Sequence, residues 1–125
     1  MTRDQRRVVS YLAHILEAIE RIERYTDSMD AAAFMSNGLV QDAVIRNLEV
    51  VGEASNNIEK QHPDFAAAHP ELPLSFAYQM RNAVAHGYFK VDLGIVWQTI
   101  RRDLPGLKML VERARAGVAG SDGAG

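Results

Sequence analysis

A run of aliphatic residues near the start of the chain constrains the fold more than any other feature of the sequence. Val8, Leu12, Ile15, Ile19 and Ile22 follow one another at steps of four and three residues. This spacing places them on one face of an α-helix, which we predict from about residue 4 to residue 25. The pattern is close to the seam of a coiled coil, so we expect this helix to pack lengthwise against a second long helix.

A second helix is predicted between residues 39 and 59, beyond a short helical turn at residues 31–35 that Asp30 is suited to cap. Because the residue before a proline is disfavoured in helical geometry, His62 followed by Pro63 predicts where this helix ends. Its apolar side chains again share one face: Val40, Val44, Leu48, Val51 and Ile58.

Two shorter helices complete the prediction, one at about residues 74–85 and one that Asp92 begins and Pro105 kinks or restarts. No segment alternates as a strand does, and no repeat is present. The sequence therefore predicts an all-α bundle of four to five helices, two of them long and antiparallel. Residues 1–116 form the predicted domain, and the glycine-rich residues 117–125 are predicted to be a disordered tail.

Composition and net charge exclude several classes of protein and of functional site. The 125 residues suit one domain, and the 14 Lys and Arg against 16 Asp and Glu give a net charge of −2, which argues against binding nucleic acid through a strong overall field. A local basic cleft stays compatible with that charge. The chain has no cysteine, which excludes a disulfide framework, a thiolate zinc site and a cysteine nucleophile.

The same sequence predicts no association with a membrane. No apolar run approaches the roughly 18 residues that a membrane span needs. The charged residues within the first helical segment indicate an amphipathic helix and not a signal peptide. We therefore expect a cytoplasmic protein.

Three sequence blocks carry the functional information. The first is RNAVAHGY at residues 81–88, an R-x4-H pattern with a tyrosine two residues after the histidine. The others are QDAVIRNLEVVGEA at residues 41–54 and VDLGIVWQTIRRDLP at residues 91–105. In this order and at this chain length, the blocks resemble the HepT-type toxins of the HEPN superfamily. The resemblance covers roughly residues 8–112.

The resemblance implies an all-α HEPN bundle that acts as the toxin of a type VII-like toxin–antitoxin pair. Such proteins are usually homodimers, with the R-x4-H motifs in a cleft at the interface, and they cut RNA without a metal ion or other cofactor. The implied partner is a minimal nucleotidyltransferase (MNT) antitoxin, which forms a larger hetero-oligomer with the toxin. That antitoxin transfers AMP from ATP to the motif tyrosine, here Tyr88. The implied substrate is tRNA or mRNA.

The chemistry of the motif agrees with this implication. Histidine titrates near neutral pH, so His86 is the expected general acid or base. The planar guanidinium of Arg81 matches phosphate oxygens and is the expected transition-state stabiliser. Asn82 lies four residues before His86, so in a continuous helix it shares a face with the imidazole and is expected to orient it. Tyr88 is the expected substrate contact and the site of AMP addition.

The five-residue spacing of Arg81 and His86 favours a site shared by two chains. At 100° per residue the two side chains lie about 140° apart around one helix. They therefore do not share a face of a single undistorted helix, and a deformation near the helix end is the alternative. We expect the cleft of a homodimer to bring together residues of both copies.

Further basic residues are candidate RNA contacts: Lys90, Arg101 and Arg102. Between residues 76 and 104 four Lys or Arg outnumber two Asp. On charge alone, solvated surface is the commoner role for such side chains.

Two non-toxin interpretations stay open. In one, the chain is a non-catalytic helical scaffold that dimerises and binds the nucleotidyltransferase. In the other, the usual assignment is reversed, and the bundle restrains a toxic nucleotidyltransferase.

Overall fold

The computed structural model describes residues 1–75, 77–79 and 92–124, the last four by their backbone alone. Within these residues the chain is helical and contains no strand, as predicted. The helices are α1 (Arg3–Thr26), α2 (Ala31–Met35), α3 (Gly38–Gln61), α4 (Pro63–Ala68), α5 (Leu93–Gln98), a π-helical segment (Thr99–Asp103) and α6 (Leu104–Ala124). Residues 74–75 and 77–79 are also helical, and the rest of the helix predicted at residues 74–85 lies outside the described residues.

The two long helices are antiparallel, which confirms the central prediction. Tyr11, near the start of α1, donates a hydrogen bond from its hydroxyl to Oε1 of Gln61 at the end of α3, at 3.2 Å. All five residues of the predicted α1 face are buried, together with further residues on the same side. The facing side of α3 buries four of its five predicted apolar residues, and Val40 is half-buried.

Polar side chains define where these helices begin. Thr2 and Gln5 form a capping box at the start of α1. The Asp30 carboxylate accepts a backbone N–H of α2 at 2.8 Å, and the Asn37 amide oxygen does the same for α3 at 3.1 Å. Each cap satisfies a backbone donor that the helix itself cannot satisfy. The short turn at residues 31–35 therefore begins where the sequence predicts.

The last helix, α6, runs antiparallel to α1 and closes the bundle. Nζ of Lys108 lies 3.1 Å from Oε1 and 3.2 Å from Oε2 of Glu23 near the end of α1. The hydrogen bond to Glu23, with further carboxylates nearby, raises the pKa of Lys108 above its ordinary value of 10.5. Leu104, Leu107 and Val111 of α6 are buried against the bundle.

The helix α6 continues through residues 117–124, where the glycine content predicts disorder. Among the residues of α6 up to Gly120, whose side chains the structure describes, Ala114 is the last that is buried in the core. The helix beyond it therefore gains little from packing, and the boundary between a domain and a tail at residue 116 stays a prediction. None of the described helices is both long and apolar enough to cross a membrane.

Candidate functional site

The structure describes two of the seven predicted site residues, Arg101 and Arg102. The other five lie outside the described residues: Arg81, Asn82, His86, Tyr88 and Lys90. The described residues on either side of this gap, up to Gln79 and from Asp92, show how the bundle holds the two ends of the segment that carries the motif.

The residues before the motif are fixed on the second half of α3. Leu74 is almost fully buried and Ala77 is fully buried. The hydroxyl of Ser75 donates a hydrogen bond to Oε2 of Glu59 on α3, at 2.7 Å. These apolar and polar contacts hold the chain four to seven residues before the motif against the bundle, with Ser75 bonded to α3.

A polar cavity of about 260 Å³ lies between Tyr78 and α3. It is lined by Glu53, Asn56 and Asn57 of α3 and by Tyr78. The three α3 residues share a helix face because they are three and four positions apart. That face points away from the core side of α3, where Val51 and neighbouring residues are buried. The cavity is therefore close in sequence to the motif, which begins three residues after Tyr78.

The residues after the motif are fixed on α2. The Asp92 carboxylate accepts the backbone N–H of Ile95 at 3.2 Å and begins α5, as predicted. The Trp97 ring packs on Phe34 of α2, with ring centroids 5.2 Å apart. Because Phe34 is itself fully buried, the contact ties α5 to the bundle core near the C-terminal end of this short helix. The two ends of the undescribed segment are therefore held by different helices, α3 and α2.

The adjacent arginines Arg101 and Arg102 have different environments. The Arg101 guanidinium lies 4.4 Å from the centroid of the Trp97 ring. Its Nη2 also donates a hydrogen bond to the carbonyl oxygen of Met29, at 2.5 Å. Arg102 is exposed and makes no hydrogen bond or ion pair with any residue in the described ranges. Arg101 thus joins the π-helical segment to the α1–α2 connection, whereas the Arg102 side chain extends into solvent.

Both arginines lie in the π-helical segment, in which the backbone N–H of Leu104 donates to the carbonyl of Thr99 five residues back. Proline explains this local widening. Pro105 has no N–H, and its ring crowds the carbonyl four residues earlier, that of Arg101. An i→i−5 turn just before the proline accommodates it without ending the helix. The sequence predicts a kink or restart at Pro105, and the structure shows that the helix continues through a π-turn. Such turns are frequent at functional sites.

A second cavity, of about 500 Å³, lies where α4 meets the start of α1 and the end of α6. His62 lines it and is 8% exposed, and its buried Nε2 has no hydrogen-bond partner among the described residues. The ring packs near Tyr11, with centroids 6.1 Å apart. None of the predicted site residues that the structure describes borders this cavity. From the sequence, His62 is informative only as the residue before Pro63, because a loop position gives no sign that the corner between α3 and α4 is buried.

The chain matches the family described as HepT-like (Ribonuclease HepT-like) over residues 15–114. It is 43% identical over 105 residues to a protein of Thermococcus cleftensis named "Probable ribonuclease HepT". The aligned residues are 84% of this chain and 93% of the relative. It is 34% identical over 108 residues to "Putative RNase MJ1380" of Methanocaldococcus jannaschii, covering 86% of this chain and 96% of the relative.

A third relative, from the same organism, is named "Gamma-glutamylcyclotransferase and putative RNase MJ0434". It is 40% identical over 98 residues, which are 78% of this chain but 43% of that longer protein. No solved structure matches the chain.

Proposed function

The chain belongs to the HepT-like ribonuclease family, and we propose that it is a toxin that cuts RNA without a metal ion. The observation that carries this proposal is the position of the R-x4-H motif. Arg81 and His86 lie inside the matched range of residues 15–114, between the two other sequence blocks that resemble HepT-type toxins. The printed names of the relatives, which describe ribonucleases, support the class of reaction.

In the proposed reaction a base takes the proton of an RNA 2′-hydroxyl, and the 2′-oxygen attacks the adjacent phosphorus. The bond from phosphorus to the 5′-oxygen breaks, and an acid protonates that oxygen. His86 serves as acid or base because imidazole titrates near pH 7. Arg81 binds the phosphate oxygens on which charge develops. The products are a 2′,3′-cyclic phosphate and a 5′-hydroxyl.

The proposed active cleft lies between two copies of the chain. Arg81 and His86 diverge by about 140° around a regular helix, so residues from two chains complete the site more readily than residues from one. Asn82 is the proposed partner that orients the imidazole, since it lies one turn before His86. Mixing Arg81→Ala and His86→Ala chains tests this arrangement, because a shared cleft predicts that mixed dimers regain part of the activity.

The exposed Arg102 is the stronger of the two described candidates for a phosphate contact. Its side chain has no partner in the described part of the chain, whereas Arg101 contacts Trp97 and Met29. Lys90 completes the proposed set of RNA contacts. Such contacts orient RNA and contribute affinity without reading its sequence.

We further propose that an MNT-type antitoxin neutralises the protein by transferring AMP from ATP to the Tyr88 hydroxyl, with release of pyrophosphate. The added phosphodiester is negatively charged and bulky, so it repels RNA and obstructs the cleft. Peptide mass mapping tests this step on protein made with and without the neighbouring nucleotidyltransferase. The proposal predicts one or more added AMP units at Tyr88 only in the presence of the partner.

The activity itself is tested with purified protein, single-stranded and transfer RNA, and excess EDTA. The proposal predicts that wild-type protein cuts RNA, and that His86→Ala and Arg81→Ala each lower the rate by at least about 100-fold. Circular dichroism and gel filtration show whether the variants keep the native fold and assembly. A chain that binds the nucleotidyltransferase but neither cuts RNA nor arrests growth is instead the non-catalytic scaffold. Growth arrest caused by the nucleotidyltransferase alone indicates the reversed assignment.

A further inference from the structure

Two asparagines on α3 make no side-chain hydrogen bond within the described part of the chain, unlike the comparable side chains there. Asn56 and Asn57 are half-buried in the polar cavity, and neither amide bonds to a residue in the described ranges. Four other buried or half-buried amides have partners: Gln5, Asn37, Gln41 and Asn47. With respect to the described residues, the amide donors and acceptors of Asn56 and Asn57 are therefore available to a group that enters the cavity.

The third available group is Tyr78. Its ring is half-buried at the cavity wall, and it makes no ring contact or hydrogen bond with another described residue. It can therefore stack on a planar group and offer its hydroxyl to that group's edge. Glu53 also lines the cavity but has a partner of its own, so the inference depends on the other three residues.

The chemistry of the described cavity lining fits a nucleobase. One carboxylate, two amides and a phenol form this lining. An asparagine amide places a donor beside an acceptor, which complements the N6–H and N7 edge of adenine and similar edges of other bases. Unpaired RNA bases are commonly bound by stacking on an aromatic ring with hydrogen bonds to their edges. The volume of about 260 Å³ is below that of pockets for drug-sized ligands and suits one planar base.

We propose that Asn56, Asn57 and Tyr78 form a subsite for one unstacked nucleobase of the RNA substrate. This proposal rests on the ribonuclease function proposed above and gives that function a base preference. The cavity adjoins residues that lead directly into the motif segment. The bound base is therefore that of a nucleotide close to the cleaved phosphodiester.

The first test uses a pool of single-stranded RNA oligonucleotides of random sequence, with sequencing of the cut ends. Wild-type protein is expected to prefer one base at one position beside the cut by about 5-fold or more. The double substitution Asn56→Ala with Asn57→Ala should lower the rate and flatten that preference. Gln98→Ala removes an exposed amide on α5 and is the matched control, with the preference kept. A wild-type enzyme without base preference, or a double variant with the preference intact, overturns the subsite and leaves the ribonuclease standing.

Tyr78 separates stacking from hydrogen bonding. Tyr78→Phe keeps the ring and should keep most of the preference, whereas Tyr78→Leu removes the ring and should weaken RNA binding by about 5-fold or more. Equal binding by both variants contradicts the stacking role. The two variants are compared only if each unfolds cooperatively with heat and has a Tm near that of the wild type.

A second test does not require catalysis. Side-chain amide signals of Asn56 and Asn57 in ¹⁵N-labelled protein are followed while adenosine, cytidine, guanosine or uridine is added. At least one nucleoside should shift both pairs of signals while the Gln98 signal stays in place, and no shift with any nucleoside contradicts the proposal. Because this readout is independent of cleavage, it also decides the subsite if wild-type protein cuts no RNA, an outcome that refutes the proposed function itself.

Discussion

The adjacent residues Arg101 and Arg102 allow one matched perturbation to separate a structural cation from an RNA-binding one. Substituting either with glutamine removes one positive charge from the same π-helical segment. The two substitutions are therefore equivalent in charge and helix propensity, and they differ in the contacts they remove. Arg101 has two partners, Trp97 and the Met29 carbonyl, whereas Arg102 has none in the described part of the chain.

The magnitude follows from those contacts. A hydrogen bond from a charged donor contributes about 1.5–3 kcal/mol to stability. The bond from Arg101 to Met29 is exposed, so we place its contribution at the lower end of that range. A cation over an aromatic ring at an exposed site adds about 0.5–1 kcal/mol. Arg101→Gln should therefore lower the free energy of unfolding by about 2 kcal/mol, or about 8 °C in Tm for a domain of this size. Arg102→Gln should change it by less than about 0.5 kcal/mol.

The assay pairs urea denaturation with binding of a fluorescent RNA at several salt concentrations, below the unfolding temperature of both variants. Arg102→Gln should weaken RNA binding and reduce the dependence on salt by about one phosphate contact. Arg101→Gln should leave that dependence unchanged. Equal losses of stability in the two variants would refute the structural role of Arg101, and an unchanged salt dependence for Arg102→Gln would refute its phosphate contact.

Three further predictions concern the bundle itself. Leu48→Ala should lower the unfolding free energy measured by urea denaturation by about 3 kcal/mol, because the Leu48 side chain is fully buried and its truncation leaves a cavity. A loss below about 1 kcal/mol would contradict this packing. His62→Phe should raise the unfolding free energy by about 1 kcal/mol, because it removes a buried nitrogen that has no hydrogen-bond partner among the described residues. A marked loss of unfolding free energy in the same assay would show that this nitrogen is hydrogen-bonded in solution. Lys108→Met should cost less than about 1 kcal/mol at pH 7–9, because the ion pair is exposed. Since Glu23 raises the Lys108 pKa in the folded state, the contribution is complete below 10.5 and disappears as the pH rises through the raised pKa; a difference that persists at higher pH points to packing and not charge.

Periodicity and capping account for the part of the fold that the sequence predicts well. The α1 stripe from Val8 to Ile22 defines a buried face because only one side of a helix faces the bundle. Asp30 and Asp92 mark helix starts because a short acidic side chain satisfies an unpaired backbone donor locally. These features depend on residues near one another in sequence, so they can be predicted before the tertiary structure is known.

Features that depend on residues distant in sequence could not be predicted in this way. Arg101 and Arg102 are indistinguishable in the sequence, and only the approach of Met29 and the Trp97 ring gives Arg101 its partners. The burial of His62 likewise depends on the packing of the corner between α3 and α4.

For the candidate site, the sequence indicates the motif residues only. Arg81 and His86 are distinguished by their pattern and by the resemblance to a family, and their roles stay predictions. The cavity at Asn56, Asn57 and Tyr78 has no sequence signature, because it forms where a later segment packs on α3.

The most direct test of the central claim is the chemical identity of the RNA ends that the purified protein produces in excess EDTA. The proposed mechanism predicts fragments with a 2′,3′-cyclic phosphate and a 5′-hydroxyl, which are absent when His86→Ala protein of native fold is used. Fragments with a 3′-hydroxyl and a 5′-phosphate, cleavage that needs an added metal ion, or equal cleavage by His86→Ala would contradict it.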